Sequence, residues 1–206
     1  MAAPAHRSVR IGLTGGIGSG KSTIAAILQA RGAQLIDTDA ISRSLTARGG
    51  AAIDTLRAHF GAAAIDAHGA LDRRWMRERA FANAGVKRDL EAVLHPLIGA
   101  RCDELAAAAA GQPCIVFDVP LLVESHRWRM FVDRVLVVDC PLEVQIARVM
   151  RRSLWQREQV QSVIAQQAPR AVRRAAADAV IDNRVDDLAE LQANLEALWR
   201  LWLPSP

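Results

Sequence analysis

The chain has 206 residues, 51% hydrophobic and 23% charged, with a net charge of +4. That is enough apolar material for one ordinary domain and too much for wholesale disorder. No apolar run nears the ~18 residues of a membrane span, and the absence of C-x-x-C spacing speaks against zinc or a disulfide framework. Alanine accounts for 38 positions, and 24 of the 26 basic residues are arginine. Arginine clusters are therefore background here, whereas Lys21 and Lys87, the two lysines, carry information. Met1 to Arg10 lacks the apolar stretch of a signal peptide. Cys102, Cys114 and Cys140 are widely spaced, as in a reducing compartment. The expectation is a cytoplasmic protein with anionic small molecules as partners and neither nucleic acid nor membrane. A monomer is expected, with a small homo-oligomer as the alternative.

In chain order, Val9-Arg10-Ile11-Gly12-Leu13 reads as a buried strand running into glycines. Gly15-Gly16-Ile17-Gly18-Ser19-Gly20-Lys21-Ser22-Thr23 then matches G-x-x-x-x-G-K-[ST] in full, between that strand and a helix over 22–30. Glycines let backbone N–H groups turn inward around phosphate oxygens, and the helix start adds its free N–H groups and positive dipole end. Lys21 supplies a mobile cation to the β- and γ-phosphates, and Ser22 offers a hydroxyl to Mg²⁺. ATP and Mg²⁺ are thus the expected small-molecule partners.

Ala33-Gln34-Leu35-Ile36-Asp37 is a second strand, followed by Thr38 and Asp39. Asp39 is placed to orient an acceptor hydroxyl and take its proton. Asp37 or Thr38 is also a natural N-cap for the next helix. Residues 51–111 hold no good strand and read as a helical insertion, punctuated by loops at Asp66-Ala67-His68-Gly69 and His95-Pro96. Cys114-Ile115-Val116-Phe117-Asp118 is a third strand, and Asp118 at its end is a candidate Mg²⁺ ligand. Arg134 to Asp139 is a fourth strand. The stretch from Pro141 to Ala177 is helical, rich in Arg and Gln and poor in large apolar residues, which suggests an exposed arm. Ala179-Val180-Ile181-Asp182 is a fifth strand, and Leu188, Leu191, Leu195, Leu198, Trp199 and Trp202 form the core stripe of a last helix.

Strands apolar on both faces and separated by helices indicate a parallel sheet covered on both sides. The fold class is α/β: a five-stranded parallel sheet of the P-loop NTPase type, order 2-3-1-4-5, with a helical insertion that binds substrate and a helical lid. One domain is expected over 1–206, with its core at 8–50, 112–140 and 176–206, the insertion at 51–111 and the lid at 141–175. Two features hint at a GTPase: Asp66-Ala67-His68-Gly69 spells D-x-x-G, and Asn183-Arg184-Val185-Asp186 resembles N-K-x-D. The first falls in the helical insertion, away from any γ-phosphate position, which argues against a switch.

Beyond the loop, several segments resemble the dephospho-coenzyme A kinase family. They are the leading Leu13-Thr14-Gly15-Gly16, Ile36-Asp37-Thr38-Asp39, Leu71-Asp72-Arg73, Phe81, Leu94-His95-Pro96 and Pro120-Leu121-Leu122-Val123-Glu124. Gln145-Ile146-Ala147-Arg148 with Arg152, and Asp178 with Val180-Ile181-Asp182-Asn183, complete the series. The family's R-D is here Arg152-Ser153, and Asn183 is followed by Arg184-Val185 in place of a tight glycine turn. The resemblance implies phosphoryl transfer from ATP to the ribose 3′-hydroxyl of dephospho-coenzyme A, the last step of coenzyme A biosynthesis. It implies Asp39 as base, Arg148 as lid arginine over the phosphates and Asn183 at the adenine edge. His95, Arg73, Arg77, Pro120 and Leu121 would shape the acceptor site, with Arg173 of the second lid helix a further phosphate candidate. The alternatives are another P-loop nucleoside or nucleotide kinase, and a regulatory P-loop protein without transfer activity.

Overall fold

A computed structural model describes residues 7–125, 128–185 and 187–203. The chain divides into two compact units, one formed by Met1–Ile36 with Ala109–Pro206 and the other by Asp37–Ala108.

The first unit contains the sheet. Its strands are β1 (Val9–Gly15), β2 (Gln34–Asp37, ending at the unit boundary), β3 (Cys114–Asp118), β4 (Arg134–Asp139) and β5 (Ala179–Asp182). Among the described residues they form one sheet in the order β2-β3-β1-β4-β5. β1 pairs in parallel with β3 and β4, and β4 pairs in parallel with β5. The central strands are apolar on both faces because both are covered: Leu13, Val116, Leu136 and Val138 are fully buried. On one side Ile11, Leu136 and Ile181 pack in a cluster with Ile24 and Leu28 of α1 (Lys21–Ala30) and with Leu191 and Leu195 of α9 (Leu188–Trp202). Each fully buried Leu or Ile contributes ~1.5–3 kcal/mol. α1 and α9 are thereby fixed against the sheet, and with them the glycine loop that precedes α1.

After β4 come α6 (Leu142–Ser153), α7 (Arg157–Ala165) and α8 (Arg170–Ala175). The expectation of an exposed arm is corrected here. Ile146, Val149 and Val160 are buried and pack with Ile17 of the glycine loop, and Gln145 and Arg173 are buried as well. A narrow apolar stripe suffices to seat α6, which is why a count of large apolar residues under-reads it.

The second unit is helical: α2 (Thr38–Leu45), α3 (Ile53–Phe60), α4 (Arg73–Ala82) and α5 (Ala84–Ala108). It begins at Asp37, ahead of the expected residue 51, because α2 packs on α5. Its core is Ala52, Leu56, Ala64, Leu71 and Met76, with Val86, Leu90, Val93, Leu94 and Leu97 of α5 against them. The expected break at His95-Pro96 is absent: Pro96 lies inside the 25-residue α5. Proline forfeits one hydrogen bond to the preceding turn, but the apolar residues on both sides of it are anchored in this core. At Asp66-Ala67-His68-Gly69 the expected turn is present. Asp66 Oδ1 accepts from His68 N and Ala70 N at 2.9 Å each, which accounts for the D-x-x-G spelling as turn chemistry.

Candidate active site at the glycine loop

The loop between β1 and α1 bends through Gly18 at φ 73° and Gly20 at φ 94°, a region that L side chains adopt only with strain. Space also forbids a side chain at Gly20, where a Cβ would run into the Asn183 amide. The first N–H groups of α1 have no partners within the helix and carry its positive dipole end. Two buried polar atoms in this cradle, Ser19 Oγ and Gln145 Oε1, have no hydrogen-bond partner among the described residues. A Cβ on Gly15 would lie 2.6 Å from Ser19 Oγ, and one on Gly16 would lie 2.7 Å from Gln145 Oε1. No side chain fits at either position, so the loop stays bare backbone, and backbone N–H groups of such a loop are what phosphate oxygens bind.

Lys21 Nζ is paired with Asp118 Oδ1 at the end of β3, with both side chains largely buried. This one contact joins the residue expected on the phosphates to the residue expected on the metal. Thr14 Oγ1 donates to Pro120 O at 3.0 Å, which ties the loop's leading strand to the turn after β3. Leu121, beside it, is about half exposed, at 49%. Ser22 and Thr23 are exposed at the start of α1. Ser22 Oγ and the Asp118 carboxylate are hard oxygen donors of the kind Mg²⁺ takes. No cluster of three His, Cys, Asp or Glu exists among the described residues. A Mg²⁺ ion at this site would therefore draw most of its octahedral shell from phosphate oxygens and water, the usual arrangement for this ion.

Arg148 lies half-buried on α6, with its Nη2 3.4 Å from Asn183 Oδ1. Asn183 Nδ2 in turn donates to Ser19 O at 2.8 Å. Asn183 is 4% exposed, so besides any contact with adenine it props up the loop. Asp186, the last residue of the N-K-x-D-like segment, lies outside the described residues. Arg152 sits at the exposed end of α6, its Nε 3.5 Å from Ser153 Oγ, where the family's acid would stand.

Asp39, Arg73, Arg77 and His95 belong to the helical unit. Asp37 caps α2 by accepting from Ala40 N at 2.8 Å, which leaves Asp39 exposed in the first turn and free of the capping role. Arg73 is engaged by Thr46 Oγ1 at 2.8 Å, while Arg77 projects from the exposed face of α4. His95, expected at a helix end, is half-buried in the middle of α5 for the reason given above for Pro96.

Sequence reasoning missed a second layer around the loop. Gln167 Oε1 accepts from Ile17 N at 3.0 Å. Glu124 Oε1 accepts from Ala168 N at 2.6 Å. Asp139, at the end of β4, receives Arg170 Nη2 at 2.7 Å and Arg174 Nη1 at 2.6 Å. Burial pushes the Asp139 carboxyl up, but the two guanidinium groups outweigh it and hold the pKa below the ordinary value. Its signal was an acid closing an otherwise apolar strand, a feature that β2 and β3 share. Arg173 lies in α8, the third helix after β4 and not the second, and is only 4% exposed.

The model of the dephospho-CoA kinase family matches residues 9–187, from β1 to the N-cap of α9. The chain belongs to this family. A dephospho-CoA kinase from Burkholderia lata is 52% identical over 193 residues, covering 94% of this chain and 95% of the relative. The crystal structure of TT1252 from Thermus thermophilus superposes with a TM-score of 0.82 at 33% identity, covering 95% of this chain and 98% of that one. A dephospho-CoA kinase from Campylobacter jejuni superposes with a TM-score of 0.66 at 22% identity, over 94% of this chain and 96% of that one, and shares the fold. The glycine loop lies inside the matched residues, and the strand order is the one expected from the sequence.

Proposed function

We propose that the chain carries out the family's reaction at the glycine loop, with Lys21, Asp39 and Arg148 as its principal groups. A dephospho-CoA kinase uses ATP to phosphorylate dephospho-coenzyme A, the last step of coenzyme A biosynthesis. The observation that carries the assignment to this site is the cradle itself: left-handed glycines, Lys21 and the start of α1, inside the family match.

Gly15, Gly16, Gly18, Ser19, Gly20, Ser22 and Thr23 surround the ATP phosphates, and Lys21 exchanges Asp118 for a phosphate oxygen. Ser22 and Asp118 would hold Mg²⁺, which would supply positive charge to offset that of the phosphates. Asp39 accepts the proton of the ribose 3′-hydroxyl as its oxygen attacks the γ-phosphorus and ADP departs. Arg148, on α6, adds positive charge to the transferring group. Arg73, Arg77 and His95 of the helical unit are candidate acceptor contacts, as are Pro120 and Leu121 of the sheet unit. No helix among the described residues is long and apolar enough to cross a membrane. The three cysteines are buried free thiols, two of them pushed up to about 11 and about 12 by burial (Cys102 and Cys114). These thiols suit the reducing cytoplasm, where the chain would act as a monomer.

Offering dephospho-coenzyme A, AMP, CMP and shikimate as acceptors with ATP tests this reading. Turnover with dephospho-coenzyme A well above the rest is expected. Preference for a nucleotide acceptor, or hydrolysis of ATP independent of any acceptor, overturns it.

A further inference from the structure

α8 has six residues, too few to hold its own shape in water. Its position must be imposed by contacts from outside the helix, and these are specific. Gln167 and Ala168, just before it, are bonded to Ile17 N and to Glu124 Oε1. Within it, Arg170 and Arg174 stand at i and i+4 on one face and both grip Asp139. Arg170 does so in a fork, Nε at 2.9 Å from Oδ1 and Nη2 at 2.7 Å from Oδ2. The Asp139 side chain is 2% exposed, whereas those of Arg170 and Arg174 are 43% and 46% exposed.

Arg173 lies about 60° round the helix from Arg170. With α8 held in this way, its guanidinium comes against the glycine loop: Nη2 is 2.9 Å from where a Cβ on Gly16 would sit. Nη1 donates to Ala168 O, which aims the fork. Beside it is Gln145 Oε1, buried and without a partner among the described residues. Burial lowers the pKa of Arg173, outweighing the pull of the Glu124 and Asp139 carboxylates nearby.

Resting on the reading that the loop binds ATP phosphates, we propose that Arg173 contacts those phosphates and that Asp139 is the positioning residue that sets it there through Arg170 and Arg174. The division of labour is physical. A buried guanidinium gains from a direct anionic partner, which neither Glu124 nor Asp139 is shown to give Arg173, and the phosphate chain of ATP brings one to this loop. The two outer arginines are spent on Asp139, so the inner one remains for the nucleotide. Arg148 reaches the loop from a different helix, so the two arginines act on the phosphates independently.

The test compares Arg173→Gln, Asp139→Asn, the double variant, Lys21→Ala and Arg157→Ala. Arg157 pairs with Glu143 at the surface and serves as the control. ATP affinity is measured by calorimetric titration, KM is measured for ATP and for dephospho-coenzyme A, and Tm reports folding. Arg173→Gln is expected to weaken ATP by about ten- to a hundredfold, the loss of a charge-assisted contact, with KM for dephospho-coenzyme A within about twofold. Asp139→Asn falls in the same direction, and adding it to Arg173→Gln costs little more, because both act through one contact. Additive losses in the double variant overturn the role of Asp139. ATP binding by Arg173→Gln within about twofold of the parent, equal losses for both substrates, or an equal loss in Arg157→Ala overturns the role of Arg173. Should Asp139→Asn fail to fold, Arg174→Ala leaves Arg170 on the carboxylate. An intermediate ATP loss then supports the clamp, and unchanged ATP binding overturns it. If Lys21→Ala binds ATP like the parent, the reading of the loop itself fails. If only Arg173→Gln does so, this inference alone fails.

Discussion

Asp37 and Asp39 stand two residues apart and do different work. Asp37 closes the first turn of α2 with its side chain, and Asp39 projects from that turn into solvent. Asp39→Asn should therefore leave Tm unchanged and ATP affinity near normal while transfer falls ~10²–10⁴-fold, the span of a positioned acid–base group. Single-turnover kinetics alongside a melting curve check this, and near-normal turnover would remove Asp39 from the chemistry. Arg148 offers a second separation. It reaches Asn183, which in turn holds Ser19 O, so it bears on the loop that receives ATP. Arg148→Ala should slow transfer about a hundredfold, the ~3 kcal/mol typical of a lost charge-stabilising donor, with dephospho-coenzyme A binding little changed. Arg151, exposed and about 60° away on α6, gives the comparison. Equal small effects of Arg148→Ala and Arg151→Ala would reduce α6 to a solvated basic helix.

Among the helices, α6 ends in an unusual way. Leu154, its C-cap, has φ 56° and is 86% exposed, and it is the one non-glycine residue with positive φ among the described residues. A side chain in that region costs about 1 kcal/mol or more, and this one recovers little by burial. Leu154→Gly should raise the unfolding free energy by ~0.5–1 kcal/mol, read from the midpoint of urea unfolding at unchanged m. A fall in that midpoint would mean that the exposed leucine is held by packing after all. α5 teaches the opposite lesson. Proline reads as a break from sequence because its local cost is visible there, yet Val93, Leu94 and Leu97 around Pro96 are seated in the helical unit's core. Tertiary burial, summed over several side chains at ~1 kcal/mol or more each, outweighs one missing hydrogen bond.

For the whole molecule, acid sensitivity follows from Asp139. Its folded pKa lies below the ordinary 3.8, so the stability it contributes is fully present above that value and drains away as pH falls through the folded pKa. Asp139→Asn should lower Tm at neutral pH and flatten the fall in Tm below about pH 4, measured by calorimetry across pH 2–7. An unaltered acid profile would show that the clamp contributes nothing to stability. Much of the molecule was legible in the sequence. The five strands announce themselves as short runs apolar on both faces. The glycine loop declares its chemistry by spacing, because a turn that cradles phosphate needs glycine, lysine and a hydroxyl at set offsets. The family resemblance followed from the order of such segments. What neighbours in sequence dictate, sequence displays. The packing of Ile17 against α6, the support of Ser19 by Asn183 and the grip of Arg170 and Arg174 on Asp139 were decided only by the tertiary structure. Each joins residues far apart in the chain, and in a chain of 24 arginines the arginine partners could not be told from the rest until burial and distance separated them.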